Sequence, residues 1–439
     1  MDTYGWDLVY ACRMDRVNDS LKAGMQELIV SFDYNDGDIE ITGTFDAWRL
    51  VFGGADKLLR FETPIKTGTV TVKSLNQTFG ISGIVPEMEL QLSFVDNVST
   101  ANVKDLKFNC ITVGKKPGDQ TSGAVTLVTP DTGDKFKEIE QHDKYRVLFG
   151  VLHDNLPKLF IANRDKLAYV FAQVNLFIGG SSNWMTPKQY EYVYDQPVSG
   201  KTGYLGILCM VTDGDISSLP RKIDTALTSG DCEVFFMMSK AMFMQHVLLP
   251  VLPRAYGHGA TAGNFIYKAG SIKNNGRLNM GRVKAGLAYY YPHLDSVTIT
   301  VEDSEIRTSA SGSFDITGLK DAYVTFSVGT TNKAAFDKSR KVLAFEHDNH
   351  PTRQYHKHIP KWEWIVGGPL APIVDLVIYI VSKEVPSSVT KAVNAGGGLA
   401  AVATPVINWH GLKHFDVQDA GLSESFYMRG MYTESPSHS

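Results

Sequence analysis

The sequence predicts an α+β fold in two modules, residues 1–220 and 221–439. Three observations carry this. The hydrophobic period switches between about 3.6 and 2 along the chain, which separates helices from half-buried strands. The order helix, antiparallel strands, helix occurs twice, with a break near residues 213–230. A chain of 439 residues suits two β-rich domains. Helices and strands fall in blocks rather than alternating as βαβ units, which is the α+β pattern. No residue repeat of fixed period accompanies the duplication, so it is one of architecture only.

The first element, from Thr3 to about Met25, reads as an amphipathic helix. Trp6, Val9, Tyr10, Met14, Val17, Leu21 and Met25 recur every three or four residues. From Ile39 the period is two. Ile39, Ile41 and Phe45 alternate with Glu40, Thr42 and Thr44, and Met88, Leu90, Leu92 and Phe94 with Glu89, Gln91 and Ser93. Such strands have one buried and one polar face. Helical spacing returns over about Asp134–Phe177, and Pro157 should kink or split that run. Tyr204–Thr212 is apolar on both faces, as a covered central strand is.

In the second half, Asp231–Leu252 reads as a helix ended by Pro250 and Pro253. Strands follow at Val297–Val301, Ala322–Val328 and Val342–Phe345, with Tyr289-Tyr290-Tyr291-Pro292 as an aromatic strand end. Helical or mixed apolar sequence runs from Trp364 to about Val406. The tail from Thr433 is expected to fray.

Composition excludes several classes. Apolar residues are 43% and charged residues 21%, the balance of a globular chain. A formal charge of −4 advertises no large nucleic-acid surface. Cysteines at 12, 110, 209 and 232 form no CxxC pair and suggest buried thiols. The opening residues carry no positive segment followed by an apolar run, so export through a Sec signal is not expected. The default expectation is a soluble protein made without Sec export.

The 231–252 segment is the most informative. Phe235, Phe236, Met237, Met238, Met242, Phe243, Met244, Val247, Leu248 and Leu249 nearly surround a helix drawn over it. A helix apolar on every side must be covered all round. A curved sheet wrapped about it would do so. Four methionines in eight residues also make an adaptable wall. Met238, Met242 and Leu249 mark one face of this helix and Phe236 and Phe243 a second. These five are the candidate lining of an apolar pocket, against the plainer reading that methionine fills gaps in an irregular core. A second greasy run, Ile365–Val381, carries Asp375, two prolines and two glycines, which favours a core helix over a membrane span.

Catalytic and metal signatures are absent. His347, His350, His356 and His358, with Glu346 and Asp348, have zinc-ligand types without zinc-ligand spacing, and Pro351 marks a solvated loop. His410 and His414 are separated by Gly411 and lack a helical carboxylate between them. Gly396-Gly397-Gly398 reads as a hinge or close packing, and Asp213-Gly214-Asp215 lacks the later ligands of a calcium loop. Isolated carboxylates such as Asp96 and Asp303 are left to pair in space. Neither a cofactor nor a metal is expected.

The opening Thr3-Tyr4-Gly5-Trp6-Asp7, running into Val9-Tyr10, and the block Gly203-Tyr204-Leu205-Gly206-Ile207-Leu208-Cys209-Met210 resemble the family encoded in clostridial orfX-type neurotoxin gene clusters, a forty-seven-kilodalton protein and its larger sisters. That resemblance implies a tubular lipid-binding (TULIP) fold, long helices wrapped by strongly curved antiparallel sheets. It also implies lipid as a partner, with phosphoinositides reported for some members, and no catalytic residues. The resulting expectation is a non-enzymatic accessory protein that binds lipid or membrane surfaces. Its rivals are a filled-core assembly factor docking to other proteins of the cluster, and a membrane-active toxin component that deploys 365–381 or 231–252. A metal-dependent enzyme is the remotest reading.

Overall fold

A computed structural model of the chain describes residues 1–133, 135–136, 143–197, 202–359, 371–395, 399, 401, 406–412 and 414–433. The protein mixes helix with largely antiparallel strand. It forms two compact units, and neither is a single stretch of chain. The amino unit comprises Val9–Thr225, Thr404–Phe415 and Tyr432–Ser439; the carboxy unit comprises Met1–Leu8, Ala226–Ala403 and Asp416–Met431.

In the amino unit the first element departs from the helix expected over Thr3–Met25. Leu8–Arg13 is a strand, and the helix is only Met14–Ala23. Leu8 through Cys12 are all buried. That continuous run of apolar side chains is covered on both faces, which a surface helix with one apolar stripe cannot supply. The helix keeps the predicted spacing, burying Met14, Val17 and Leu21. Tyr204–Met210, buried along its whole length, pairs antiparallel with Gln189–Asp195.

The alternating segment gives a four-stranded sheet of Ser31–Asn35, Ile39–Phe45, Ile65–Val72 and Gln77–Gly80. Ile39, Ile41 and Phe45 point inward. On the outer face, hydroxyls pair across strands: Thr44 with Thr67 at 2.8 Å and Thr71 with Thr78 at 3.1 Å. A larger sheet runs Thr112–Val113, Ala124–Thr129, Glu87–Asp96, Val103–Asn109, Val170–Asn175, Ile407–Trp409. The helix Asp143–Ala162 packs on strands of both sheets. Helix therefore does not extend to Phe177 as expected, because Val170–Asn175 is claimed by the sheet. Pro157 lies inside the helix rather than splitting it. Phe45, Trp48, Phe108, Phe160 and Phe171 form an aromatic core, with Trp48 and Phe160 at 5.3 Å and Phe108 and Phe171 at 4.9 Å.

The carboxy unit is dominated by one meander: Phe265–Lys268, Ser271–Asn274, His293–Glu302, Glu305–Asp315, Tyr323–Asp337 and Val342–Phe345. The three strands expected here are present. The histidine segment, expected to be a loop throughout, instead includes a fully exposed strand, Thr352–His358, paired with the front of Tyr323–Asp337. A second group in this unit sets Val234–Met238 beside Ser425–Thr433, with His414–Ser423 next in order.

Helical segments Ala371–Tyr379, Ile380–Glu384 and Val385–Val393 follow one another directly. Their apolar side chains Val377, Val381, Val385 and Val389 are buried, as a core helix requires. The start of the greasy run, the triple glycine and the final tail lie outside the described residues. No helix of the described residues is long and apolar enough to cross a membrane. Long helices enclosed by strongly curved sheets are not what these units show. The mixed α+β class stands.

Candidate functional site

The 231–252 segment is not one helix. Val234–Met238 is a fully buried strand, with Phe236 opposite Met428 and Met238 opposite Phe426. Ser239 then turns the chain. Its backbone N–H donates to the Asp7 carbonyl at 2.9 Å, and its hydroxyl accepts from the Met242 N–H at 3.3 Å. This is the N-cap arrangement, in which a serine oxygen satisfies an otherwise orphaned amide of the first turn. Helical turns follow at Lys240–Phe243, Met244–Leu248 in the wider π form, Leu249–Val251 and Leu252–Tyr256. Pro250 and Pro253 do not end the run, because each sits in the first turn of its own segment, where no amide is missed. Gly257, with φ of +65°, stops it.

The five candidates are therefore split between two elements, and the proposed Met238, Met242, Leu249 helical face does not exist. Phe236 and Met238 belong to the strand, while Met242, Phe243 and Leu249 belong to the helical run. All but Leu249, which is half-buried, are buried. The structure brings Phe236 and Phe243 together around Phe426. Phe243 stacks on Phe426 at 5.6 Å with the rings 10° from parallel, and Phe236 meets Phe426 at 6.4 Å. Phe345 closes the group at 6.3 Å from Phe243. Phe426 escaped sequence reasoning, and Phe345 was read only as part of the strand Val342–Phe345. The alternation of Phe426 and Met428 in Ser425–Thr433 is the signal that could have found Phe426.

Three cavities lie elsewhere. In the amino unit one of about 430 Å³ is lined by Lys115, Lys116, His153, Asp154 and Lys158, and one of about 300 Å³ by Arg16, Asp19, Glu27 and His410. In the carboxy unit one of about 320 Å³ lies over Thr298, Thr300, Arg307, Thr331 and Asp348. Their walls hold charged and hydroxyl side chains, and none of the five candidates lines them.

The histidines are dispersed among separate partners. His347 Nε2 is 3.3 Å from Ser387 Oγ, and His358 stacks on Tyr323 at 4.4 Å. His410 lies against Tyr169 at 4.6 Å. Among the described residues no group of three or more His, Cys, Asp or Glu is placed to hold a metal. Asp213 pairs with Lys188 and Asp215 accepts from Ser217, so both serve local structure. Asp96 faces a cation, Lys104, at 2.7 Å. Cys12, Cys110 and Cys209 are buried, and burial pushes the Cys110 thiol up to about 12, well away from a reactive thiolate.

Residues 3–423 match the model of the OrfX-like family, described as Protein OrfX2/OrfX3/P47. The chain belongs to the OrfX-like family. This OrfX-like chain is 30% identical over 444 residues to Protein P47 of Clostridium botulinum (strain Kyoto / Type A2), covering 98% of this chain and 99% of that protein. Protein OrfX3 of the same strain is 23% identical over 414 residues, covering 86% and 83%. Among solved structures, P47 from Clostridium botulinum A2 superposes with a TM-score of 0.79 at 30% identity, covering 98% of both chains. P47 of Clostridium botulinum E1 gives 0.75 at 28%, covering 98% of this chain and all of that one. The family expected from Thr3–Asp7 and Gly203–Met210 is the family found.

Proposed function

We propose that this OrfX-like protein is a non-enzymatic accessory protein of a toxin gene cluster that binds lipid through an apolar interior in the manner of tubular lipid-binding folds. One observation supports it most. Met237, Met238, Met242 and Met244 are all buried at the junction where a strand passes into a helical run. Unbranched thioether side chains repack at low cost, so such a wall can yield to an acyl chain. Each methylene that enters contributes about 0.8 kcal/mol, enough to hold a chain without a charged anchor. Phosphoinositides and other anionic lipids are the ligands to try first. Native mass spectrometry of gently purified protein should show a copurified lipid, and Met242→Trp should abolish it while the protein stays folded. Absence of lipid, with no uptake on titration, ends this reading.

A second reading rests on the Phe243–Phe426 stack. Two rings at 5.6 Å, closed by Phe345, fill space that an acyl chain would need. In that case the interior is solid and the protein serves as an assembly module for other products of the cluster. Complex formation with those products in the absence of lipid would favour it.

A further inference from the structure

The carboxy unit carries a short hairpin, Val283–Ala285 paired with Ala288–Tyr290, that is built on two dissimilar faces. Its register places Val283 opposite Tyr290, Lys284 opposite Tyr289 and Ala285 opposite Ala288. Strand side chains alternate, so Val283, Ala285, Ala288 and Tyr290 share one face. That face is anchored. Tyr290 is buried and meets Phe314 edge-on at 5.7 Å. The Thr317 hydroxyl donates to the Tyr289 carbonyl at 2.5 Å, tying the hairpin to the neighbouring loop.

The other face and the tip have no such use. Leu287 is 101% exposed, Tyr291 64% and Tyr289 42%. The turn needs only Gly286, which takes φ of +64° at the first of its two central positions. The second position has no requirement for an apolar side chain, and polar residues serve there. A lone exposed leucine is ordinary. A leucine at the tip of an anchored hairpin, followed by two exposed tyrosines, is a pattern.

The hairpin's own charge is one-sided as well. Residues 280–292 contain Arg282 and Lys284 and no carboxylate. The Arg282 guanidinium lies 4.3 Å from the Tyr289 ring centre, and the nearby Asp295 is engaged by Arg277 at 2.9 Å. A leucine tip, tyrosines behind it and cations beside them match the layers of an anionic bilayer surface. The apolar group enters the acyl boundary, the amphipathic rings sit at headgroup level, and the cations meet lipid phosphates.

We propose that the Val283–Tyr290 hairpin is a membrane-surface anchor, with Leu287 entering an anionic bilayer and Arg282 and Lys284 on its headgroups. This goes beyond the reading above and needs no internal lipid pocket. The test is flotation of the full chain with vesicles of phosphatidylcholine alone and of phosphatidylcholine with phosphatidylserine. The unsubstituted chain should float with the anionic vesicles and much less with the neutral ones. Leu287→Asp should cut the bound fraction on anionic vesicles by on the order of tenfold, as should Arg282→Ala with Lys284→Ala, each cation contributing severalfold near such a surface. Both variants should keep the melting temperature, since none of these side chains is in the core, and should keep any lipid that copurifies.

Undiminished flotation of Leu287→Asp overturns the anchor. If that flotation is instead abolished by Met242→Trp, the internal-lipid reading survives alone. Failure of the folded, unsubstituted chain to float overturns the anchor too. Self-association that Leu287→Asp abolishes in sedimentation, without flotation, reassigns the tip to a contact between copies.

Discussion

Asp303 and Glu424 clasp each other through two hydrogen bonds, one between backbones and one to the Glu424 side chain. The Glu424 N–H donates to the Asp303 carbonyl at 2.8 Å, and the Asp303 N–H donates back to the Glu424 carboxylate at 3.1 Å. Both residues hold left-handed φ angles, 51° and 61°, at the tips of two hairpins of the carboxy unit. The same carboxylate accepts from Lys240 Nζ at 3.1 Å, so one side chain joins two turns to the start of the helical run.

Glu424→Ala should therefore destabilise the carboxy unit by about 1–2 kcal/mol, the usual loss for charge-assisted hydrogen bonds. The hydrogen bond from Asp303, ahead of Lys240, holds the Glu424 carboxyl below the ordinary range. A carboxylate with a depressed folded pKa stabilises above its unfolded pKa and loses that contribution as pH falls through the folded value. Urea midpoints measured from pH 6 down to pH 3 should fall less for Glu424→Gln than for the unsubstituted chain.

Two histidines give a pH dependence of the same sign from a different cause. Burial lowers the pKa of His246 and of His293, with Arg277 adding to the effect at His293. A base with a lowered folded pKa binds its proton more readily when unfolded. Stability then rises with pH between the folded and unfolded values and is lost as pH drops below about 6.5. Thermal melts at pH 7.5 and pH 5 should separate, and His246→Gln should reduce the separation.

Gly43 faces the backbone of the neighbouring strand. A Cβ there would stand 2.3 Å from the Thr67 carbonyl oxygen and 2.8 Å from Gly68 Cα. Backbone cannot swing aside as a side chain would, so Gly43→Ala should cost about 1–3 kcal/mol. Gly80→Ala, which meets nothing within 4 Å, is the control and should melt close to the unsubstituted chain.

Phe243→Ala removes the ring at the centre of the Phe236, Phe345 and Phe426 group. It should cost about 3–5 kcal/mol, and Phe243→Leu much less. Denaturant unfolding of the two variants checks this. A Phe243→Ala protein of near-normal stability would mean the space collapses or is taken by a ligand.

Zinc titrated into chelator-treated protein should show no stoichiometric site tighter than about 1 μM, because that affinity needs a preorganised ligand set. His347 and His358 instead engage Ser387 and Tyr323. Calorimetry decides it.

Sequence reading located what periodicity encodes and missed what it does not. Val297–Val301 alternates, and so it was legible as a strand inside His293–Glu302. Val234–Met238 is apolar at every position, so neither period two nor 3.6 can be read from it. Pairing with segments distant in sequence, such as Ser425–Thr433 nearly two hundred residues away, makes it a strand. Leu8–Cys12 failed for the same reason. Thr352–His358 was hidden differently. Its side chains are all exposed, so hydrogen bonding to Tyr323–Gly329 alone defines it, and no hydrophobic pattern announces backbone pairing. The five pocket candidates were legible as buried. Their division between strand and helix was not.

The interleaving of the two units has a kinetic consequence. Met1–Leu8 belongs with Ala226–Ala403, and the Met1 amino group donates to the Ser423 carbonyl at 2.6 Å. On a ribosome adding about 5–20 residues per second, the stretch between Leu8 and Ala226 takes roughly 10–40 s to appear. Met1–Leu8 must wait that long for any neighbour from its own unit, and longer for Ser423. The amino unit is also incomplete until Ile407–Trp409 joins Val170–Asn175. Connectivity rather than intrinsic stability thus dictates the order of events. Both units finish late, through contacts between distant parts of the sequence, and a nascent chain stalled before residue 404 would hold neither of them whole.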